Sequence, residues 1–413
     1  MPLTFQQIYD QYSHIEFKRR LFVKFLGEDG VYDVDFTEIS QGLMKNGSVK
    51  SLTRSLPNNS WQFGKVTVNN VQLEVLSAFQ EFASEQDPNS IFNGKIRHRS
   101  IIKVVDAFID KYTDPDLPEE IQVTTFEGLI DSNTATTEEG FETVTVLDFI
   151  TVLSEINVNE LTLAQTTMND LIYEIMNRAE FTKFFTVSNS STYIDAGYNA
   201  TSIDTSVYDG SVLEMLEDLA KGHSIFFIDP DDNTFYFKAV EPTASVQFSF
   251  LEENNRKVKI ASYREGIDRQ ITNWYWNDTA ISSIKIPAPI NPKSETFDIS
   301  GITNATQRQN TLDFVLTKTQ DAKPYFKITL PYFPIVKLLD RVVVQSFGSA
   351  PRDAVRWGMF VFTSQATNNP STAPRWRKPA GIRISASDEW IVRSIAHGSG
   401  FKTTLELERI FEV

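Results

Sequence analysis

Short runs of β-forming residues, separated by turn signals, recur along most of this 413-residue chain and restrict it to a mainly β fold. The run at residues 21–26 ends in the turn Gly27-Glu28-Asp29-Gly30, and the runs at 101–108 and 121–130 precede a polar stretch at 131–140. Further runs lie at 341–345, 390–395 and 403–411. Many short strands with frequent turns predict antiparallel barrels or sandwiches.

One local unit between these β-rich regions has a clear helical pattern. Ser211 and Glu214 have the spacing of a capping box, and the apolar residues that follow recur with the helical period until Gly222. Residues 224–228 and 234–240 then predict two strands joined by the turn Asp229-Pro230-Asp231-Asp232-Asn233. The sequence therefore predicts a helix packed on a β-hairpin.

The order of these patterns predicts a mainly β chain with an α/β insert, in which two antiparallel β-barrel domains flank a small helix-plus-hairpin domain. We expect an N-terminal barrel at residues 1–147, the α/β domain at 148–245 and a C-terminal barrel at 246–413. Residues 304–319 predict a helix within the last domain. Residues 349–382 predict a long loop or hairpin excursion, which is too long for a barrel turn.

Composition excludes several function classes. The chain has no cysteine, so disulfides, thiol catalysis and cysteine-bound zinc are ruled out. Its net charge of −15 disfavours binding to a nucleic-acid backbone, and we expect no specific nucleic-acid sequence as a partner. The apolar stretches are too short for a membrane-spanning helix, and residues 1–20 carry no pattern of a secretory signal.

The sequence contains none of the common motifs for catalysis or metal binding. The four histidines are too far apart in sequence for a metal motif, and no phosphate-binding loop or nucleophile elbow is present. The acidic turn at 229–233 begins like a calcium loop, but Thr234 and Val240 occupy the places of the required glycine and glutamate. We therefore expect no catalytic residues, no cofactor and no metal.

Two basic clusters are candidates for contacts with other chains. Arginine and tryptophan are frequent interface anchors, and the loop at 349–382 combines both. Its partner-interface candidates are Arg352, Arg356, Trp357, Arg375, Trp376, Arg377 and Lys378. The alternative of base stacking by these residues is less favoured, because the chain is acidic. A second cluster, Lys95, Arg97, His98, Arg99 and Lys103, is expected on a solvated or intersubunit face.

Four stretches, taken in their order, form one further pattern: residues 126–149, 211–237, 330–344 and 390–409. Together they resemble the baseplate hub, or tail-hub, proteins of bacteriophage tails and related contractile machines. The family often has Gly-Asp before a β run, and here Leu339 replaces that glycine. The resemblance implies two similar barrels per subunit and a homotrimer that forms a six-fold-like ring. Such a ring joins a hexameric tail tube to a central spike or fibre.

The sequence-based hypothesis is thus a non-enzymatic structural protein of a phage-like virion, at the tail tip or baseplate, made in the cytoplasm of the host bacterium. Its expected partners are other copies of itself, the distal tail or tube protein, the tape-measure protein and a central spike or fibre protein. Two alternatives remain open: a tail-associated cell-wall hydrolase, and a module that binds host carbohydrate.

Overall fold

The structure, a computed structural model, is mainly β with few helices and contains a curled antiparallel sheet shaped like half a barrel. Within the described ranges, no helix combines the length and apolar character needed to cross a bilayer. The residues described are 15–39, 44–49, 51–55, 70–76, 88, 90–110, 119–131, 136–138, 141–221, 224–239, 246–251, 259–264, 273–276, 282–284, 294–319, 325–345, 389–398 and 402–409.

The first region is built almost entirely of strands. Its two longest strands are neighbours that pair antiparallel along nearly their whole length. The strands are β1 (Ile15–Gly27), β2 (Thr37–Glu38), β3 (Met44–Val49), β4 (Ser51–Ser55), β5 (Asn70–Leu76), β6 (Lys95–Asp110), β7 (Glu119–Ile130), β8 (Thr136–Glu138) and β9 (Phe141–Asp148).

The first sheet has the order β2-β1-β6-β7-β9-β5-β3, with β8 added beside β9. Its inner face is an apolar cluster that includes Leu21, Val23, Val104 and Val146, all fully buried. The predicted strands at 101–108 and 121–130 are confirmed, and the expected polar loop at 131–140 contains the short strand β8. In the described part of the chain the two end strands do not pair with each other, so the sheet is an open, curled one.

The middle region places short helices against a small sheet. Its elements are α1 (Ile150–Leu153), α2 (Met168–Met176), α3 (Ala179–Thr182), β10 (Ile194–Asp195), α4 (Val212–Ala220), β11 (Ser224–Asp229) and β12 (Thr234–Ala239). The order of the small sheet is β10-β12-β11, with β10 parallel to β12.

The helix predicted after Ser211 is confirmed with its capping box. The Ser211 side chain accepts a hydrogen bond from the Glu214 amide, and the Glu214 carboxylate accepts one from the Ser211 amide. Leu216 lies in one buried cluster with Phe226 and Phe235, as expected for a helix packed on the hairpin. The sequence Thr167-Met168-Asn169-Asp170 has a capping-box-like spacing and predicts a capped helix at α2. The helix is present, but the predicted cap was wrong, because the Thr167 side chain makes no cap hydrogen bond.

The last region contains two sheets and one long helix. Its elements are β13 (Phe248–Leu251), β14 (Lys259–Arg264), β15 (Asn273–Trp276), β16 (Ser282–Ile284), β17 (Ser294–Phe297), α5 (Ala305–Thr319), β18 (Tyr325–Pro331), β19 (Arg341–Gln345), β20 (Glu389–Gly398) and β21 (Lys402–Arg409). The helix predicted at 304–319 is confirmed by α5.

The larger of these sheets has the order β13-β19-β20-β21-β18-β14 and departs from the expected antiparallel barrel at one edge. There, β13 pairs parallel with β19, while the other neighbours are antiparallel. A parallel pair needs a long crossover between its strands, and β14 through β18 with α5 supply one here. The described strands therefore form a mixed, open sheet.

Two features connect the regions more closely than the sequence suggested. The strand β4 follows β3 after a single residue, yet β3 pairs in the first sheet and β4 pairs with β20 of the last sheet. Trp274 and Trp276 of β15 and Phe297 of β17 pack into the cluster of the middle region together with α5. The domain boundaries at 147 and 245 stay predictions, and contacts cross both.

Candidate functional site at the joints between the sheets

The interface candidates predicted from sequence fall outside the described residues. The loop 349–382, with Arg352, Arg356, Trp357, Arg375, Trp376, Arg377 and Lys378, is not described by the structure. The second basic cluster, at residues 95–103, lies among the described residues, and its members have partners within the chain.

The basic cluster around β6 is occupied by intramolecular contacts. Lys95 Nζ lies 2.8 Å from Asp33 Oδ1, and Arg99 forms an ion pair with Glu155 at the end of α1. Lys103 Nζ lies 5.3 Å from the centre of the Phe36 ring. Much of this cluster therefore holds the first sheet against its own loops, although its outer edges remain partly exposed.

Across the described residues, no group of three or more histidine, cysteine, aspartate or glutamate side chains is arranged to hold a metal ion. The features that stand out are instead two polar joints, each between parts of the chain that are far apart in sequence. We call them the buried joint and the lysine joint.

The buried joint links the first sheet to the last region through Arg19, Asp106 and Tyr332. Arg19 Nε donates to Asp106 Oδ1 at 2.7 Å, and Nη2 donates to Oδ2 at 3.0 Å. Arg19 Nη2 also donates to the Tyr332 hydroxyl oxygen at 3.0 Å, while that hydroxyl donates to Asp106 Oδ2. The planar guanidinium matches a carboxylate with two parallel hydrogen bonds, which fixes the direction of approach as well as the distance.

The three groups are almost free of solvent. The side chains of Arg19 and Asp106 are 11% and 1% exposed, and Tyr332 is 1% exposed. Burial disfavours the charge on Arg19, but the charge and hydrogen bond of Asp106 outweigh it and hold the pKa of Arg19 above its ordinary value. Burial, followed by the charge of Asp106, raises the pKa of Tyr332 far above its ordinary value. The tyrosine therefore remains a hydrogen-bond donor at any physiological pH.

An aromatic shell surrounds the buried joint and excludes water from it. The ring of Phe17 meets both Phe108 and Tyr332 edge to face, at 5.1 and 5.8 Å between ring centres. On the other side, the His397 ring lies 5.3 Å from Tyr332. His397 Nδ1 lies 3.1 Å from Thr403 Oγ1, and that hydroxyl oxygen accepts from the Phe333 amide at 2.8 Å. Strands of both large sheets thus contribute side chains to one core.

The lysine joint links the middle hairpin to the last region. Lys337 Nζ lies 2.8 Å from Asp229 Oδ2 and 3.2 Å from Asp232 Oδ2. The Tyr236 hydroxyl donates to the same Asp232 oxygen at 2.7 Å. The acidic turn that resembles the start of a calcium loop is therefore neutralised in part by an ammonium group from another region.

The turn that carries Lys337 has a strained backbone. Leu339 has φ of 69°, the left-handed region that favours glycine. Its amide donates to the Val392 carbonyl at 2.9 Å, and its side chain is 8% exposed in the apolar cluster of the last sheet. Burial of a leucine side chain offsets the roughly 1–2 kcal/mol cost of this conformation. In the tail-hub family that the sequence resembles, this position is often glycine.

A third polar contact joins α4 to the segment before α5. The Tyr208 hydroxyl donates to Asp218 Oδ2 at 2.9 Å and accepts from the Gly301 amide at 3.1 Å. The same Asp218 oxygen accepts from the Ser300 amide at 2.7 Å. A Cβ atom on Gly301 would lie 2.9 Å from both the Tyr208 hydroxyl and an Ile203 methyl, so this close approach requires glycine.

Sequence reasoning missed both joints. Arg19 lies 313 positions from Tyr332 and 87 from Asp106, so no local spacing connects them. One signal was available: Asp106 is the single charge in the apolar stretch at residues 104–109 of β6, and a buried strand tolerates such a charge when it has a partner.

Comparison with solved structures places this architecture among tail proteins. The tail protein from Neisseria meningitidis MC58 matches with a TM-score of 0.51 and 10% identity, over 95% of this chain and 96% of that chain. A prophage MuSo2 43 kDa tail protein from Shewanella oneidensis matches with a TM-score of 0.48 and 12% identity, over 95% and 98%. Prophage tail protein gp18 from Listeria monocytogenes EGD-e matches with a TM-score of 0.48 and 9% identity, over 94% of each chain.

No protein-family model and no curated protein matches the chain. At 10% identity, the Neisseria match establishes a shared fold over nearly the full length of both chains. The resemblance to tail proteins inferred from the sequence is confirmed at the level of the fold.

Proposed function

We propose that the chain is a non-enzymatic structural hub of a phage-like tail tip or baseplate, and hence a component of the virion. The observation that carries this proposal is the fold shared with the Neisseria tail protein over 95% of the chain. Nearly the whole length of both chains takes part, so the match is not confined to one common β module.

The proposed mechanism is geometric. A hub must hold its two large sheets at one angle, because an error in that angle is multiplied around a closed ring. The buried joint and the strand β4 both connect the first sheet directly to the last one. The lysine joint connects the middle hairpin to the same last region. Together these links support a rigid subunit rather than three independently moving domains.

Ring formation is the second part of the proposal. Three copies would form a ring in which each curled sheet completes a barrel-like wall, giving six similar walls. The tube protein and the tape-measure protein would lie on one side of this ring, and the spike or fibre on the other. In each copy the loop 349–382 would contact a neighbouring chain through Arg352, Arg356, Trp357, Arg375, Trp376, Arg377 and Lys378.

The test combines assembly with a deletion. We expect the purified chain to form closed trimers, measured by native mass spectrometry and seen as rings by electron microscopy. Replacing residues 352–378 by a short Gly/Ser linker should leave a folded monomer that no longer forms the ring. A matched control, Lys183→Ala with Lys402→Ala, removes exposed basic residues elsewhere and should assemble normally.

Four results would contradict parts of this proposal. A chain that stays monomeric both alone and with a tube protein would refute the hub. Equal hydrogen-exchange protection of the loop in free and assembled chains would refute its role as a contact. Release of fragments from purified peptidoglycan would favour a hydrolase, and saturable binding on a glycan array would favour a carbohydrate module.

A further inference from the structure

One loop of the first sheet exposes two large apolar side chains. It comprises residues 28–36, between β1 and β2, and we call it the valine loop. Val31 is 62% exposed and Val34 is 88% exposed. In the part of the chain that the structure describes, the other exposed large apolar side chains are Val207 and Tyr275, which lie in other regions. Single exposed apolar residues are ordinary, whereas two in one loop indicate a surface that a partner covers.

The two residues between the valines hold the loop in place. The Tyr32 hydroxyl donates to the Arg99 carbonyl at 2.9 Å. Asp33 Oδ1 lies 2.8 Å from Lys95 Nζ, and the Asp33 amide donates to the Phe25 carbonyl at 2.9 Å. The centre of the loop is therefore attached to both β1 and β6.

The far end of the loop is held by an aromatic ring. The centre of the Phe36 ring lies 5.7 Å from Lys24 Nζ and 5.3 Å from Lys103 Nζ, so two ammonium groups pack on it. Because these anchors are fixed, the loop cannot turn its valines inward without breaking the contacts. A partner that covers the valines therefore has little additional chain to order, which favours binding.

The charges around the valines indicate what kind of partner fits. Glu28, Asp29 and Asp35 are exposed, and among the described residues the ion pair of this loop is the one made by Asp33. Interfaces commonly combine an apolar centre with a polar rim, and opposite charges face each other across them. The valine loop therefore fits a partner segment that combines apolar and basic side chains.

One segment of the same chain has that composition. Residues 349–382 contain five basic residues, one acidic residue and the apolar run Met359-Phe360-Val361-Phe362, in a chain whose net charge is −15. The basic residues stand beside Trp357 and Trp376 in the sequence. Arginine and tryptophan are the side chains that most often dominate the binding energy of an interface.

The length of this part of the chain allows it to reach another subunit. It leaves the last sheet after Gln345 and returns at Glu389, and the two strands that it connects are antiparallel neighbours. Half of the intervening chain, fully extended, spans about 70 Å. Each copy offers one valine loop and one such segment, so a contact between copies is head-to-tail and can repeat around a closed ring.

We propose that the valine loop of one copy binds residues 349–382 of the neighbouring copy. Val31 and Val34 contact the apolar side chains of that segment, and the three exposed carboxylates of the loop face its basic side chains. This inference rests on the proposed function, because it requires that copies of the chain associate.

The absence of cysteine from the chain allows a direct test by cross-linking. Two differently tagged chains are co-expressed, one with Val34→Cys and the other with Ala373→Cys, and treated with a bismaleimide. We expect a cross-link between the two tags, with a yield about tenfold higher than for Val207→Cys in place of Val34→Cys, because a specific contact raises the local thiol concentration. Val207 is a suitable control because its side chain is 43% exposed. Equal yields would overturn the proposal, as would a chain with both cysteines that cross-links only to itself.

Charge reversal separates this contact from the hub itself. The two sets of changes are Glu28→Lys, Asp29→Lys and Asp35→Lys in the loop, and Arg375→Glu, Arg377→Glu and Lys378→Glu in the segment. Each set alone should reduce the assembled fraction in native mass spectrometry about tenfold, because like charges then meet. The two sets together should restore assembly. A parent that assembles without this rescue would overturn the inference alone, whereas a parent that never assembles would refute the hub as well.

Discussion

The buried joint and the lysine joint use the same chemistry in different surroundings. Each pairs one cationic side chain with aspartate and adds a tyrosine hydroxyl. At the buried joint, the Arg19 and Asp106 side chains are 11% and 1% exposed. At the lysine joint, Lys337 and Asp232 are 31% and 36% exposed. The comparison teaches that solvent access decides what such a contact stabilises. A buried contact stabilises the whole fold, and a partly exposed one stabilises only the local packing.

The two joints also differ in the ratio of cationic to anionic side chains. The buried joint has one cation for one carboxylate and two geometrically matched hydrogen bonds between them. A buried pair that is fully hydrogen-bonded costs little while it is intact and a great deal when one partner is lost. The lysine joint has one ammonium group for two carboxylates and is partly exposed, so its strength depends on salt.

The largest effect is expected when the buried joint loses its carboxylate. Asp106→Ala leaves the Arg19 guanidinium without its buried counter-charge and should lower the free energy of unfolding by about 3–5 kcal/mol. Urea unfolding followed by tryptophan fluorescence measures this loss. The control is Glu120→Ala, whose pair with Arg20 is about one quarter exposed and should cost less than about 1 kcal/mol. Similar losses of unfolding free energy in the two variants would contradict the proposed difference between a buried and a partly exposed ion pair.

A smaller effect is expected at the lysine joint. Lys337→Met removes the ammonium and leaves Asp229, with a side chain 3% exposed, beside Asp232. We expect a loss of about 1–3 kcal/mol, reduced by solvent at the exposed side of the joint, and confined to amides of the hairpin in hydrogen exchange. Lys327→Met is the matched control, because its pair with Glu406 is more exposed on both sides. A global loss of protection would show that this joint also fixes the fold.

A still smaller change tests the hydroxyl in the buried joint. Tyr332→Phe keeps the ring that packs on Phe17 and Phe108 but removes a donor to Asp106 and an acceptor for Arg19. Hydrogen bonds to charged groups contribute about 1.5–3 kcal/mol. Because Arg19 and Asp106 keep the two bonds between them, urea unfolding should report a loss at the lower end of that range. No measurable loss would mean that the arginine alone satisfies Asp106.

The smallest expected difference between the two joints is in their sensitivity to salt. Raising sodium chloride from about 0.05 to 1 M shortens the screening length from more than 10 Å to about 3 Å. The difference between wild type and Lys337→Met should shrink by roughly half, while the difference between wild type and Asp106→Ala should change little. Equal salt sensitivity would indicate that water reaches both joints.

Local patterns allowed accurate prediction only where the partners are close in sequence. The helix after Ser211, the hairpin that follows and its acidic turn depend on residues within about 30 positions, and all were predicted. The helix α5 was also predicted, from its own periodicity. The cap expected at Thr167 failed because the spacing of a capping box does not decide where the hydroxyl points.

The links between regions could not be predicted, because their partners are far apart in sequence. Asp106 meets Tyr332 across 226 positions, and β4 pairs with a strand near the far end of the last region. The candidates named from sequence, such as Arg352 and Trp357, lie outside the described residues and remain predictions. Single-sequence patterns carry periodicity and capping, but no information on which distant surfaces meet.

The strand β4 also sets the order of events during synthesis. Residues 51–55 leave the ribosome several hundred residues before β20 at 389–398. The strand β4 must therefore wait unpaired beside the first sheet until β20 has been translated. Contacts of such long range fold slowly, and a waiting strand edge invites aggregation. Production of this protein should consequently benefit from slow translation and from chaperones that shield exposed strands.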